Sequence, residues 1–285
     1  MRRLTVDAGD YRFCLSNLPK YVLNDVCSIY EITNESDFTG PTDFTIDLKS
    51  SGFLRRFVRP QKLFFLDGQR IFNPVSYDKC LPSLEWAMNW CIGSYDHNRL
   101  LIHASVIEKN GRAVIFPASQ GSGKSTLSAY LGLKQFNLYS DEFAILNLDD
   151  GTVSPIFRPA SLKNQSIDII RHEHPDAYFS RTTEGTQKGR IAHVKTMSRK
   201  HFESLVPAKI ESIITPKYIA NSHLEIVPLT MTQAMSTLIR NSFNYNIIGA
   251  PAFEIMVDIV SNSKSYALSY SSFGDLEKFL DGVLS

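Results

Sequence analysis

The densest chemistry in the chain is the run Gly121-Ser122-Gly123-Lys124-Ser125-Thr126, preceded by the apolar Ala113-Val114-Ile115-Phe116-Pro117 and followed by Leu127. A buried strand, a glycine turn and a helix that begins at the lysine aim successive backbone N–H groups and a helix N-terminus at one point. That arrangement is an anion site. In such a cradle Ser119, Gln120, Gly121, Ser122, Gly123, Lys124, Ser125 and Thr126 wrap a polyphosphate. Lys124 reaches the β and γ phosphates, and the Ser125 hydroxyl ligates Mg²⁺. The full pattern G-x-x-x-x-G-K-[ST] has glycine where this chain has Ala118, and alanine serves there only if its φ is negative.

A phosphate cradle needs an acidic group for metal or base work. Asp141 stands seventeen residues after Lys124, at the outer end of the next expected strand, in Tyr139-Ser140-Asp141-Glu142-Phe143. Neighbouring carboxylates on a strand point to opposite sides, so one addresses metal or substrate while the other makes structural contacts. The metal-ligand candidates are therefore Ser125, Asp141 and Glu142. His103 lies twenty-one residues before Lys124; on spacing alone a single strand histidine reads as a hydrogen-bonded packing residue.

The elements that must hold these residues are legible in outline. Residues 1–78 read as short strands and turns, with alternation in Phe44–Leu48 and the run Leu63–Leu66 entering a turn at Asp67-Gly68. From Pro82 the pattern becomes helical, with Leu84, Ala87, Met88, Cys91 and Tyr95 on one face, and Trp86 and Trp90 reserved for packing. Two strands, Leu100 to Ile107 and Arg112 to Pro117, flank Asn110-Gly111, a strong hairpin signal. A strand is expected over Leu138–Leu146. Residues 155–200 read as loops and short elements around a site. Strands follow at Glu211–Thr215, Leu224–Leu229 and Tyr266–Tyr270. Thr230 and Gln233 form a capping box for a helix bearing Ala234, Met235, Leu238 and Ile239. Pro251 opens a helix with Phe253, Met256, Val257 and Val260 inward, and Phe273, Leu276, Phe279, Leu280 and Val283 line a last one.

Composition narrows the function classes. With 30 basic and 29 acidic residues the chain has no basic excess for nucleic acid, and the short basic stretch over 54–62 reads as a solvated edge. No segment approaches the roughly 20 apolar residues of a membrane helix, and no signal-peptide-like run follows Met1. Cys14, Cys27, Cys80 and Cys91 show no CxxC spacing and read as reduced thiols. The expected location is the cytoplasm, with neither nucleic acid nor membrane as partner.

The motifs together resemble the HPr kinase/phosphorylase superfamily, and within it the HPr kinase-related family A. The core likeness runs from His103-Ala104 through Gly121–Thr126 to Asp141-Glu142. Family A is suggested by Arg59-Pro60 with Leu66-Asp67-Gly68, by Leu84-Glu85-Trp86 with Asn89-Trp90-Cys91, by Ser140-Asp141-Glu142-Phe143-Ala144, by Arg158-Pro159 with Ser161-Leu162-Lys163-Asn164, and by Asn241-Ser242-Phe243-Asn244-Tyr245.

The resemblance implies an α/β architecture, a PEP-carboxykinase-like P-loop kinase domain over 79–285; residues 1–78, read from the sequence itself, form a smaller, mainly β region of α+β class. It implies ATP and Mg²⁺ as donor and metal, and phosphate transfer to a hydroxyl, serine foremost, with Asp141 as base and His103 beside it. Lys124, Lys163 and Arg158 join them as catalytic candidates, and Lys188 sits in a glycine-bracketed lid candidate, Gly185–Arg190. HPr kinases carry Asp-Asp where this chain has Asp141-Glu142, and their HPr-recognising Glu-Ile-Arg-Gly-Leu-Gly loop has no clear copy here. The expected acceptor is accordingly another peptide or protein, such as a ribosomally made peptide with a PqqD-like partner. Ring-like assembly in HPr kinases adds a homo-oligomer to the expectations. A small-molecule kinase and a non-catalytic nucleotide switch stand as alternatives.

Overall fold

A computed structural model describes residues 3–33, 40–52, 58–118 and 121–285. Residues 54–57 of the basic stretch, and the cradle candidates Ser119 and Gln120, lie outside the described residues. The chain is mixed α/β with three sheets among the described residues.

The first sheet is built from β1 (Arg3–Asp7), β2 (Arg12–Ser16), β3 (Phe44–Ser50), β4 (Gln61–Leu66), β5 (Gln69–Arg70) and β6 (Val75–Ser76), with helix α1 (Lys20–Tyr30) between β2 and β3. β2 and β3 pair in parallel, so α1 is their crossover; the other pairings are antiparallel. α1 is an addition to the strands and turns expected here. It buries Val22, Val26, Ile29 and Tyr30 at helical spacing but starts after Pro19 without a side-chain cap, and its tyrosines and β-branched residues hide the helix from propensity.

A short 3₁₀ turn, Tyr77–Lys79, leads into α2 (Cys80–Tyr95). Leu84, Ala87, Met88 and Cys91 face inward as expected, but Tyr95 is exposed and Trp86 stands 53% exposed with its ring 4.4 Å from Phe72. α2 packs in one continuous core with the first sheet, Phe143, Ile145 and Phe157, so hydrophobic contact runs through the expected boundary at 78/79.

The second sheet has β7 (Leu100–Lys109) and β8 (Arg112–Pro117) at its centre, joined by Asn110 and Gly111, both at positive φ as a tight two-residue hairpin demands. On one side of β7 lie β9 (Asn137–Ser140), β10 (Phe143–Leu146) and, beyond β10, β11 (Val153–Ser154). The expected single strand over 138–146 is thus broken at Asp141-Glu142. Ser140 Oγ accepts from the backbone N–H groups of Glu142 (3.2 Å) and Phe143 (2.9 Å), an alternative to the ladder bonds. Helix α3 (Lys124–Gly132) follows β8.

A small third sheet holds β12 (Ala160–Lys163), then β13 (Thr183–Thr186) and β14 (Gly189–Val194) as a hairpin, with α4 (Gln165–Glu173) between β12 and β13. After α5 (Arg199–Phe202) the chain returns to the second sheet as β15 (Lys209–Tyr218), parallel to β8. β16 (Glu225–Pro228) is the sheet edge. α6 (Met231–Asn241), α7 (Tyr245–Ile248) and α8 (Ala250–Asn262) precede β17 (Lys264–Tyr270), which pairs in parallel with β15, and α9 (Phe273–Leu284) closes the described fold. The Thr230–Gln233 capping box is formed at α6. In α8 the inward face is Ala252, Ile255, Met256, Ile259 and Val260; Met256 and Val260 are buried as expected, while Phe253 is exposed and Val257 only partly buried. No helix of the described residues is long and apolar enough to cross a membrane.

Candidate functional site

Everything that could do chemistry gathers where β8, β15 and β17 end and where β7 and β10 begin to diverge. Gly123 caps α3 at φ 89°, in the left-handed region. A Cβ there would stand 3.2 Å from Tyr218 Cβ, so both conformation and space require glycine. Ala118 is buried and is not among the described residues with positive φ, which meets the condition for alanine at that position. No side chain caps α3, so its first N–H groups lack partners from the helix itself.

Lys124 is the first residue of that helix, 7% exposed, and its Nζ is buried without a hydrogen-bond partner. Burial pushes its pKa down; Asp141 and Glu142 pull it back up and Lys163 lowers it further. An ammonium in this state costs several kcal/mol (roughly) unless an anion reaches it. Ser122 Oγ beside it is likewise buried and unpartnered. Thr126 Oγ1 lies 2.6 Å from Ser166 Oγ, which ties the start of α3 to the start of α4.

The two carboxylates do different things. Asp141 is buried: Oδ1 lies 2.9 Å from Ser128 Oγ and 3.2 Å from Ser105 Oγ, and Oδ2 accepts from the Ser161 backbone N–H at 3.0 Å. With two acceptor positions per oxygen, Oδ2 keeps one free. Glu142 keeps 40% of its side chain exposed, and its Oε1 is 3.5 Å from His103 Nε2. Burial pushes the Glu142 carboxyl up, but His103, Lys124 and Lys163 outweigh it and bring it down to about 2. The histidine expected beside Asp141 therefore pairs with Glu142 instead. The break at 141–142 turns the second carboxylate towards it while Asp141 is drawn in by three donors. The Phe243 ring packs edge-on to His103 and against Phe143 at centroid distances of 5.9 and 5.0 Å. Phe243 is held there by Asn244, whose side chain bonds Leu101 N–H and the carbonyls of Asp96 and Arg99.

Asp141, Glu142, Arg158, Ser161 and Lys163 line a cleft of about 980 Å³, whose far wall comes from the N-terminal part of the chain and α2, with Phe72 and Trp86 among its residues. The tip of the β13–β14 hairpin, Gln187 and Lys188, lines it too, and Lys79 Nζ donates to the Gly185 carbonyl across the gap. Arg158 departs from its expected role: Nη2 donates to Glu85 Oε2 (2.6 Å) and to the Glu85 carbonyl (2.8 Å), and Tyr30 OH also bonds Glu85. Its guanidinium docks α2 onto the site through Nη2, and the buried Nη1 has no hydrogen-bond partner. Lys163 ends β12 close enough to shift both Lys124 and Glu142.

Sequence reasoning missed the hydroxyls of Ser105 and Ser128, the Ser161 amide and Glu85. Ser128 alone carried a local signal, one helical turn after Lys124 on the same face. Among the described residues no group of three or more His, Cys, Asp and Glu could hold a metal. A magnesium ion needs only one or two carboxylates plus phosphate oxygens, so the spare position on Asp141 and the Ser125 hydroxyl fit it.

A scan against protein-family models finds no match for the chain, and a search of curated proteins finds no similar sequence.

Proposed function

We propose that this chain is an ATP- and Mg²⁺-dependent kinase of the HPr kinase-like type, on a PEP-carboxykinase-like nucleotide fold, that phosphorylates a hydroxyl, serine foremost, of a peptide or protein. The observation that carries the reading is Lys124: a buried ammonium without a partner, at an uncapped helix N-terminus, with two carboxylates beside it. A polyphosphate satisfies all three features at once.

In this reading the α3 amides and Lys124 grip the β and γ phosphates of ATP, and Lys163 meets the transferring group. Mg²⁺, when bound, neutralises charge on the phosphate oxygens, and Ser125 and Asp141 are the residues that would hold it. The acceptor O–H gives its proton to Glu142, steadied by His103. The acceptor oxygen bonds to the γ phosphorus as the bond to the β–γ bridging oxygen breaks, and ADP leaves. Glu142 replaces Asp141 as the base because Asp141 is buried and already held by Ser105, Ser128 and Ser161, whereas the Glu142 side chain is 40% exposed. Polyphosphate also neutralises Lys124 and Lys163, two of the charges that hold Glu142 low, so the carboxylate becomes more basic when the donor is in place.

The cleft of about 980 Å³ has room for a peptide segment beside Glu142 as well as for a small hydroxyl compound, so the acceptor class is left to the assay. Burial pushes the thiols of Cys80 and Cys91 up to about 12, which suits inert reduced cysteines and a cytoplasmic setting. The test is transfer of γ-³²P from Mg-ATP to a serine-containing peptide library. The expected result is labelled phosphoserine with wild type and none with Lys124→Ala. ATP binding with no label moving to any peptide would point to the nucleotide-switch alternative, and label moving only to small hydroxyl compounds to the small-molecule one.

A further inference from the structure

Resting on the phosphate-cradle reading, we infer that the nucleobase of the donor stacks on the exposed ring of Tyr218, making this residue the floor of a base subsite that does not select among purines.

Direction comes from topology. β15 runs parallel to β8, and β17 runs parallel to β15, so the carboxyl ends of all three strands open on the edge where the phosphate cradle lies. Ligands of open α/β sheets bind outside those ends. The reacting end of the donor must lie towards β7 and β10, where Asp141, Glu142 and His103 sit. The nucleoside is thereby sent the opposite way, over the ends of β15 and β17.

Tyr218 ends β15 at that place. Its N–H donates to the Ser122 carbonyl at 3.2 Å, and its Cβ defines the space that Gly123 must leave open. Tyr218 is 51% exposed, although it adjoins a buried part of the sheet. It meets the fully buried Tyr270 at a centroid distance of 5.8 Å and an interplanar angle of 79°. The turn after it is fixed as well: Ile219 N–H donates to the Tyr270 carbonyl, Ser222 N–H to the Ile219 carbonyl, and Ser271 Oγ to the Ser222 carbonyl. A planar, half-exposed ring next to the phosphate cradle, packed on a buried neighbour, is a candidate stacking surface. Every base has a π face, so stacking by itself tolerates any of them.

The test is a calorimetric titration of wild type, Tyr218→Ala and Tyr218→Trp with Mg-ATP, Mg-GTP and inorganic tripolyphosphate. Tyr218→Ala is expected to weaken ATP and GTP alike, by about 5- to 150-fold, the range of base–aromatic stacking, with tripolyphosphate affinity unchanged and Tyr218→Trp close to wild type for all three. Unchanged ATP affinity in Tyr218→Ala would overturn the inference. So would an equal loss of tripolyphosphate, which would mean that Tyr218 only props Gly123, or a wild-type preference between ATP and GTP that Tyr218→Ala leaves intact. Wild type binding tripolyphosphate but no nucleotide removes the base subsite and spares the cradle; wild type binding none of the three removes both.

Discussion

Lys124 and Arg158 are both buried cations, and they are treated in opposite ways. Arg158 reaches Glu85 through one nitrogen at 2.6 and 2.8 Å, with Tyr30 completing the cluster, and its side chain is 8% exposed. Lys124 has no hydrogen-bond partner at 7% exposure. Glu85 belongs to α2 and Tyr30 to α1, so the Arg158 cluster joins the N-terminal part of the chain to the second sheet. The paired cation is architecture, completed when the chain folds. The unpaired one carries a desolvation cost that Asp141 and Glu142 offset only in part and that an incoming anion would remove, as unsatisfied groups at functional sites do.

That contrast can be broken in several places. Removing the proposed base should have the largest effect: Glu142→Gln lowers kcat about 10²- to 10⁴-fold with ATP affinity retained, read by steady-state kinetics beside a binding titration. Asp141→Asn loses the negative charge that the Ser161 N–H and the two hydroxyls face, and is expected to lower stability by about 1–3 kcal/mol in denaturant melts and to weaken Mg²⁺ dependence in the same kinetic assay. Arg158→Met leaves Glu85 buried and unpaired and is expected to cost about 3–5 kcal/mol, most of it regained on adding Glu85→Leu. If the single and double variants melt alike, the cluster is not a pair. Gly123→Ala forces a side chain into the left-handed region and is expected to cost about 1–2 kcal/mol, with loss of polyphosphate binding.

The smallest effect concerns acid. Glu142 has a folded pKa of about 2, below its usual value, so the unfolded chain takes up its proton first. Its contribution to stability is present above about pH 4.5, the usual glutamate range, and is lost as pH falls towards 2. Melting curves of wild type and Glu142→Gln against pH should converge through that window; a constant gap would mean that His103 and the lysines do not hold the carboxylate down.

What the sequence disclosed was local. The Asn110-Gly111 hairpin, the capping box at Thr230 and the strand–turn–helix around Gly123 are dictated by backbone chemistry within a few residues, and each formed. Where sequence reasoning failed, the deciding partner was distant or the local signal ran the wrong way. Helix α1 has no side-chain cap and is rich in tyrosine and β-branched residues. Ser140 breaks the strand that its apolar neighbours advertise. Ser105 lies 36 residues from Asp141, and Glu85 lies 73 from Arg158, separations over which no pattern speaks. His103 and Glu142 were both visible as candidates, but their pairing depends on the register of β7 with β10, in which His103 stands opposite Phe143.

The most direct test of the central claim is the thermal stability of wild type and Lys124→Met, each with and without Mg-ATP. If Lys124 is a buried charge awaiting polyphosphate, the variant melts above wild type in the absence of nucleotide, by about 2–4 °C for each kcal/mol of relieved desolvation. Mg-ATP then raises the wild type alone and reverses the order. A variant that melts below wild type without nucleotide, together with a wild type that Mg-ATP does not shift, would contradict the account.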